Sequence, residues 1–281
     1  MAHLNQRFDL GYGCRVTPAL HTALIAALAL GGACWILSLL TRDVSWVDRI
    51  WSLAPAGYVA WFASRARFVD ARLDLMLLLV AAWSLRLTYN FARKGGYRRG
   101  GEDYRWPILR QRLGPLKFQL LNATFIAPFQ NALLLGFTLP AWAALEHPAP
   151  LATTDLVAAV LFSAFLVGET IADQQQWRFH QEKAQRRASQ REITQPFLTS
   201  GLFRYSRHPN FFCEIGMWWS FYLFSVAGAG WLNPTIGGAV VLTLLFQGST
   251  RMTEEISRSK YPSYSEYQNT TSRLIPWLPR G

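Results

Sequence analysis

Five consecutive residues, Ser206-Arg207-His208-Pro209-Asn210, followed one helical turn later by Glu214, form the densest set of reactive side chains in the sequence. Proline is favoured at the first helical position, so His208-Pro209 marks the start of a helix. A helix start leaves free backbone N–H groups and the positive end of a dipole. Arg204, Ser206, Arg207 and Asn210 add cations, a hydroxyl and an amide at that end. The combination suits a phosphate or another anion. A second reading makes it a basic patch against anionic lipid headgroups.

Three polar stripes run along otherwise apolar stretches. Glu169 and Asp173 are spaced i,i+4, with Gln176 on the same face; Asn210 and Glu214 repeat the spacing, and so do Arg86 and Asn90. Ionisable groups at membrane depth are costly and point to function, so the stripes are expected to frame one polar cavity. The alternative is an interfacial, solvated position, with the acids paired to Arg178 or Arg207. Asp48 and Trp51 share a helical face with Pro55. Asp48 either polarises a substrate group or pairs with Arg49 or Arg86. Tyr261, Tyr264 and Tyr267 follow Glu254-Glu255 and either cap the cavity or belong to an interfacial aromatic girdle. The glycines of Gly100-Gly101-Glu102-Asp103-Tyr104-Arg105-Trp106 make no G-x-G-x-x-G fingerprint, and no strand precedes them, so a Rossmann site is not indicated. Cys14, Cys34 and Cys213 are scattered without metal-like spacing, which argues against both a disulfide framework and a structural zinc site.

The elements that must carry these groups are membrane helices. Of 281 residues, 51% are hydrophobic, 14% aromatic and only 16% charged, with twelve Trp, a balance foreign to ordinary soluble domains. The net charge of +11 is confined to particular loops. That fits the positive-inside bias better than a nucleic-acid-binding face. Apolar runs predict an all-α, polytopic membrane protein with about seven spans, near 20–40, 44–63, 73–91, 118–145, 155–176, 209–229 and 233–250. The first 19 residues are read as interfacial, without a cleavable signal peptide. The basic loops 93–117 and 178–208 fall on one side, which puts the C-terminus in the cytoplasm and leaves Arg65, Arg67 and Arg72 outside. Without an internal repeat or long linker, one membrane domain over 1–281 is expected.

The run from Gly201 to Glu214 resembles the C-terminal signature of the steroid 5-alpha-reductase superfamily, in particular its DUF1295-type branch. Ser45-Trp46-Val47-Asp48-Arg49-Ile50-Trp51, Glu102 to Trp106, Glu169 to Gln175 and the closing Tyr267 to Pro276 agree with it in order. The resemblance implies a seven-helix fold holding NADPH in a cytoplasm-facing cavity. It also implies hydride transfer to the C=C bond of a lipid-like enone. The cofactor set it implies is Glu169, Asp173, Arg178, Arg204, Ser206, Arg207, His208, Asn210, Tyr267 and Arg273, with Asn210 and Glu214 at the nicotinamide end. Asp48 and Glu214 are the implied acids, and Trp51, Trp83 and Arg86 the substrate-facing residues. Glu169 stands where the steroid reductases usually have Asn. Trp83 stands where they have a carbonyl-polarising Tyr, whose acidic partner has only an approximate counterpart in Asp48. A rival resemblance is to membrane methyltransferases of the isoprenylcysteine carboxyl type, which use S-adenosylmethionine and share an Arg-His-Pro element and a Glu-Glu then Tyr-x-x-Tyr tail.

Overall fold

A computed structural model describes residues 17–193 and 195–279; the interfacial reading of residues 1–16 and the Cys14 assignment lie outside them. Eleven α-helices, one π-helical turn and one 3-10 turn make up the regular structure of the described residues, which contain no strand. Helix α1 (Pro18–Thr41) starts on Thr17, whose hydroxyl accepts from Leu20 N, with Pro18 at the first position. The expected second span is divided into α2 (Trp46–Trp51) and α3 (Ala54–Arg65). Pro55 has no N–H to continue a helix from α2, which accounts for the break. Helix α4 (Ala71–Arg93) is capped by Asp70, which accepts from Leu73 N at 2.9 Å.

The region expected as a basic loop and a fourth span is a continuous but interrupted helical path. It comprises α5 (Arg105–Leu121), a π-helical turn (Asn122–Ile126), α6 (Pro128–Gly136) and α7 (Leu139–Glu146). Gly114, at φ 74°, turns the chain inside α5 immediately before Pro115, where a helical conformation is disfavoured. Pro128 and Pro140 open the next two helices. Helix α8 (Thr153–Ala188) runs 36 residues, well past the expected end at Gln176. Helices α9 (Pro209–Ala229), α10 (Ile236–Lys260) and α11 (Tyr264–Thr270) complete the chain.

Four helical stretches, 18–41, 71–93, 105–146 and 153–188, are long and apolar enough to cross a membrane. The remaining expected spans are also helical: α2 and α3 are short, α9 carries Asn210 and Glu214 in its first two turns, and α10 has a charged second half. The most extensive packing is between α8 and α9. The core joins Phe62, Met76, Trp83, Phe137, Phe162, Trp218, Phe221 and Phe224 from four helices and the turn between α6 and α7. Arg72 is not a free loop charge. It is 2% exposed, donates to both Asp155 oxygens at 2.7 and 2.9 Å and to Pro150 O at 2.7 Å, and so ties the start of α4 to the start of α8. Cys34 and Cys213 are buried free thiols.

Candidate functional site

The three polar stripes converge. Arg86 of α4 reaches Glu169 at 2.7 Å and Asp173 at 2.9 Å on α8, and Glu214 of α9 at 3.7 Å. Asn90, one turn on, donates to Asp173 at 2.6 Å, and Lys94 lies 3.6 Å from the other Asp173 oxygen. Arg93 donates to Gln174 Oε1 at 2.7 Å and to Asp173 O at 3.3 Å. The i,i+4 spacing on each helix creates the arrangement, since it stacks successive polar groups on one face. Pairing with Arg178 or Arg207 is not what the acids do: their cation is Arg86.

Glu214 is 5% exposed and saturated by indoles. Trp83 Nε1 donates to one of its oxygens at 2.8 Å and Trp218 Nε1 to the other at 2.9 Å. The acidic partner of Trp83 is thus Glu214, and Asp48 does not fill that role. Glu169 and Glu214 share one nitrogen of Arg86, Nη2, at 2.7 and 3.7 Å. Three carboxyl groups thus gather on Arg86, with the half-exposed Lys94 beside Asp173 as the second cation. Trp218 was not among the sequence candidates, although its i+4 position after Glu214 was the available signal.

Asp48 sits elsewhere. Its Oδ2 accepts from Trp106 Nε1 at 3.0 Å, in a small second core with Val44 and Val47, and it pairs with neither Arg49 nor Arg86. Arg49 instead pairs with Asp43 at 2.6 Å. The segment 100–106 docks onto the same turn, with Glu102 accepting from Val44 N and the Ser45 hydroxyl from Asp103 N. Trp51, from the same short helix, does reach the site's aromatic wall. Its ring lies 6.5 Å from Phe137, which lies 4.0 Å from Trp218.

The Ser206–Asn210 group is divided between two tasks. Gly201 opens a 3-10 turn (Gly201–Arg204) at φ +65°, where a Cβ would come within 2.5 Å of the Gln175 side chain. Gln175 accepts from Leu202 N at 3.0 Å, which docks the turn on α8. Beyond it, Glu254 of α10 accepts four N–H bonds: Arg207 at 2.7 and 3.0 Å, His208 Nε2 at 3.0 Å and Gln268 at 2.8 Å. Burial pushes Glu254 up, but the bonds from His208, Arg207 and Gln268 outweigh it and hold the carboxyl at about 2. Arg207 N and His208 N donate to Ser272 O and Arg273 O, and the Ser206 hydroxyl to Leu274 O at 2.7 Å. Tyr267 donates to Phe203 O and Arg273 to Gln247. These side chains therefore strap the tail across the helix start. Tyr264 and Tyr267 are buried around Phe197, and burial raises both phenols. They form no surface girdle.

Arg178 and Arg204 are exposed, and Asn210 is half-buried. Among the described residues none of these three side chains makes a hydrogen bond or ion pair. No group of three or more His, Cys, Asp and Glu among the described residues is placed to hold a metal ion.

A helical membrane protein with an ionic centre buried between α4, α8 and α9, and a tail strapped over the start of α9, is the class these features define. The chain matches the family described as "Protein of unknown function (DUF1295)" over residues 34–271 and belongs to it. An uncharacterised protein of Schizosaccharomyces pombe is 36% identical over 271 residues, which cover 91% of this chain and 79% of that protein. No solved structure matches the chain.

Proposed function

We propose that the protein is a membrane-embedded, NADPH-dependent reductase acting on the C=C bond of a lipid-like enone. The observation that carries this reading is the two buried carboxyls, Glu169 and Glu214, gathered on Arg86, with Glu214 one turn beyond an Asn210 amide that has no hydrogen bond among the described residues. The residues fit the cofactor in a specific way. Arg178, one turn after Gln175, and Arg204, two residues after Leu202, flank the contact between α8 and the 3-10 turn and are available to phosphates. Asn210 and Glu214 would face the nicotinamide end. Ser206, Arg207, His208, Tyr267 and Arg273 frame that site through the tail rather than by gripping the anion themselves.

NADPH, when bound, supplies the hydride for the β-carbon of the enone. The chain's own residues then handle charge and protons. Negative charge accumulates on the carbonyl oxygen as the double bond is lost, and a preorganised donor must stabilise it. In this reading a protonated Glu169 carboxyl, buried beside Arg86, would be that donor and would supply the second hydrogen equivalent, to be replaced from water. Trp83 and Trp218 fix the Glu214 carboxyl, Arg86 balances the charge left after proton release, and the surrounding aromatic wall excludes water.

A methyltransferase using S-adenosylmethionine is the second reading, favoured by one contact: Arg207 and His208 meet Glu254, joining the two motif halves shared with the isoprenylcysteine carboxyl type. Titration of the purified protein in nanodiscs with each cofactor separates them. A ligand at ~100 times its Kd adds about 2.7 kcal/mol of stability. NADPH is expected to raise Tm, with the effect weakened in Arg178→Ala and Arg204→Ala. Stabilisation by S-adenosylmethionine alone overturns the reductase reading.

A further inference from the structure

The tail strapped across the start of α9 holds part of its apolar surface outward. Leu274 is buried, but Ile275, Trp277 and Leu278 are 67%, 70% and 73% exposed. Residues 274–279 carry no charge, hydroxyl or amide in their side chains, and Pro276 and Pro279 stiffen the run. Pro276, Trp277 and Leu278 line an open cleft of about 340 Å³ together with Tyr205. The run is fixed in place, since the Ser206 hydroxyl donates to Leu274 O at 2.7 Å and Trp277 N to Tyr205 O at 2.9 Å. An apolar surface held out in this way marks a contact with a protein or a membrane.

Its position along α8 decides between the two. Val160, Ala164, Val167 and Ile171 are exposed and recur at helical spacing, so they form one apolar stripe on a helix able to cross a membrane. Gln175 lies one turn beyond Ile171 on that face and accepts from Leu202 N, so the Gly201–Arg204 turn caps the stripe. Gln175 also stands about 33 Å along α8 from Thr153, at about 1.5 Å per residue. A hydrocarbon layer about 30 Å thick ends near that level. Tyr205 follows the turn directly and Trp277 is bonded to it, which puts the apolar run at the depth where Trp and Tyr are enriched. A second copy of the chain suits the surface less well. Three side chains and a shallow cleft fall well short of the about 800 Å² per partner that a stable dimer buries.

We infer that the tail is a lipid-docking element: Ile275, Trp277 and Leu278 seat in the headgroup–acyl boundary of the membrane that α8 crosses. Lipid then holds the outer side of the strap while Glu254 holds its inner side. The inference rests on α8 crossing the membrane and is independent of any cofactor. Nitroxide labels at Ile275→Cys and Leu278→Cys, in a Cys14→Ser background with Cys34 and Cys213 buried, test it by EPR power saturation in phosphatidylcholine nanodiscs. Ile171→Cys and Gln190→Cys, both at exposed positions, serve as the lipid and water references. Both tail labels are expected to meet oxygen more often than a water-soluble nickel chelate, with a depth value between the two references. Trp277→Ser should shift the Leu278→Cys label towards the water reference. In unlabelled protein it should also speed hydrogen exchange of 274–278 about tenfold, the order set by one large apolar side chain losing its burial. Trp277→Phe should preserve both readings. Tail labels that read as the water reference overturn the inference, and so do labels reached by neither reagent, which would mean that protein covers the tail. Should the labels themselves speed exchange of 274–278, the unlabelled Trp277→Ser protein decides, and unchanged exchange there overturns the inference as well.

Discussion

Glu254→Gln tests the strap most directly, because it keeps the shape of the side chain and removes only its charge and half its acceptors. The carboxylate takes four N–H donors on two oxygens, two from Arg207, one from His208 and one from Gln268. An amide offers one oxygen and turns its NH2 against the donors at the other position. Arg207, only 9% exposed in its side chain, loses its counter-charge. Removing one partner of a buried pair costs about 3–5 kcal/mol. The loss should be local, since the tail's remaining ties run through Ser206, His208 N and Tyr267. Hydrogen exchange of the amides in 264–277 is the assay, with the α8–α9 core as internal reference. Faster exchange confined to the tail and the 201–208 turn is expected, with NADPH stabilisation lost alongside it. The pH dependence has a definite sign. Glu254 is held at about 2 in the folded protein against an ordinary 4.5, so its contribution is fully present above 4.5 and is lost as pH falls through about 2. Wild-type tail protection should persist at pH 4, where Glu254→Gln has none to lose. Unchanged tail exchange in the variant would refute the assignment of Glu254 as the strap's anchor.

Two further predictions concern stability. Arg72→Met should lower stability by about 3–5 kcal/mol in thermal unfolding, because Asp155 is left buried and unpaired, whereas Arg72→Met with Asp155→Leu should recover most of the loss. Equal destabilisation in the single and double variants would rule that account out. Gly238→Ala should destabilise the α6–α10 crossing by about 1–3 kcal/mol, since the added Cβ would meet Gly136 O at 2.2 Å. Gly237→Ala, which meets nothing within 4 Å, is the matched control and should be neutral or mildly stabilising.

The ionic centre was legible because acids and a guanidinium on apolar helices stand out without any knowledge of the fold. Arg86, Glu169, Asp173 and Glu214 could each be picked out by type and spacing, and they do meet. Partner choice was not legible. Arg86 pairs across 83 and 87 positions, and nothing local distinguishes it from Arg178 or Arg207 as the cation for α8. The partner of Asp48 was illegible for the same reason: Trp106 comes from the segment 93–117, read as a basic loop. The inward turn of Arg72 was not legible either, because its partner Asp155 lies 83 positions along the chain. The split at Pro55 followed from proline's missing N–H, yet the apolar run on both sides concealed it.

The reach of α8 has a consequence of its own. Its 36 residues extend about 54 Å, whereas the hydrocarbon layer is about 30 Å thick. Glu169 and Asp173 lie on the stretch near the layer's edge if α8 enters it at Thr153, and Gln175, Arg178 and Lys183 follow on the part that stands clear. A single helix thus carries groups suited to oil and groups suited to water along its length. A water-soluble carrier and an oil-soluble compound could then be held against the same scaffold, each without leaving its own solvent.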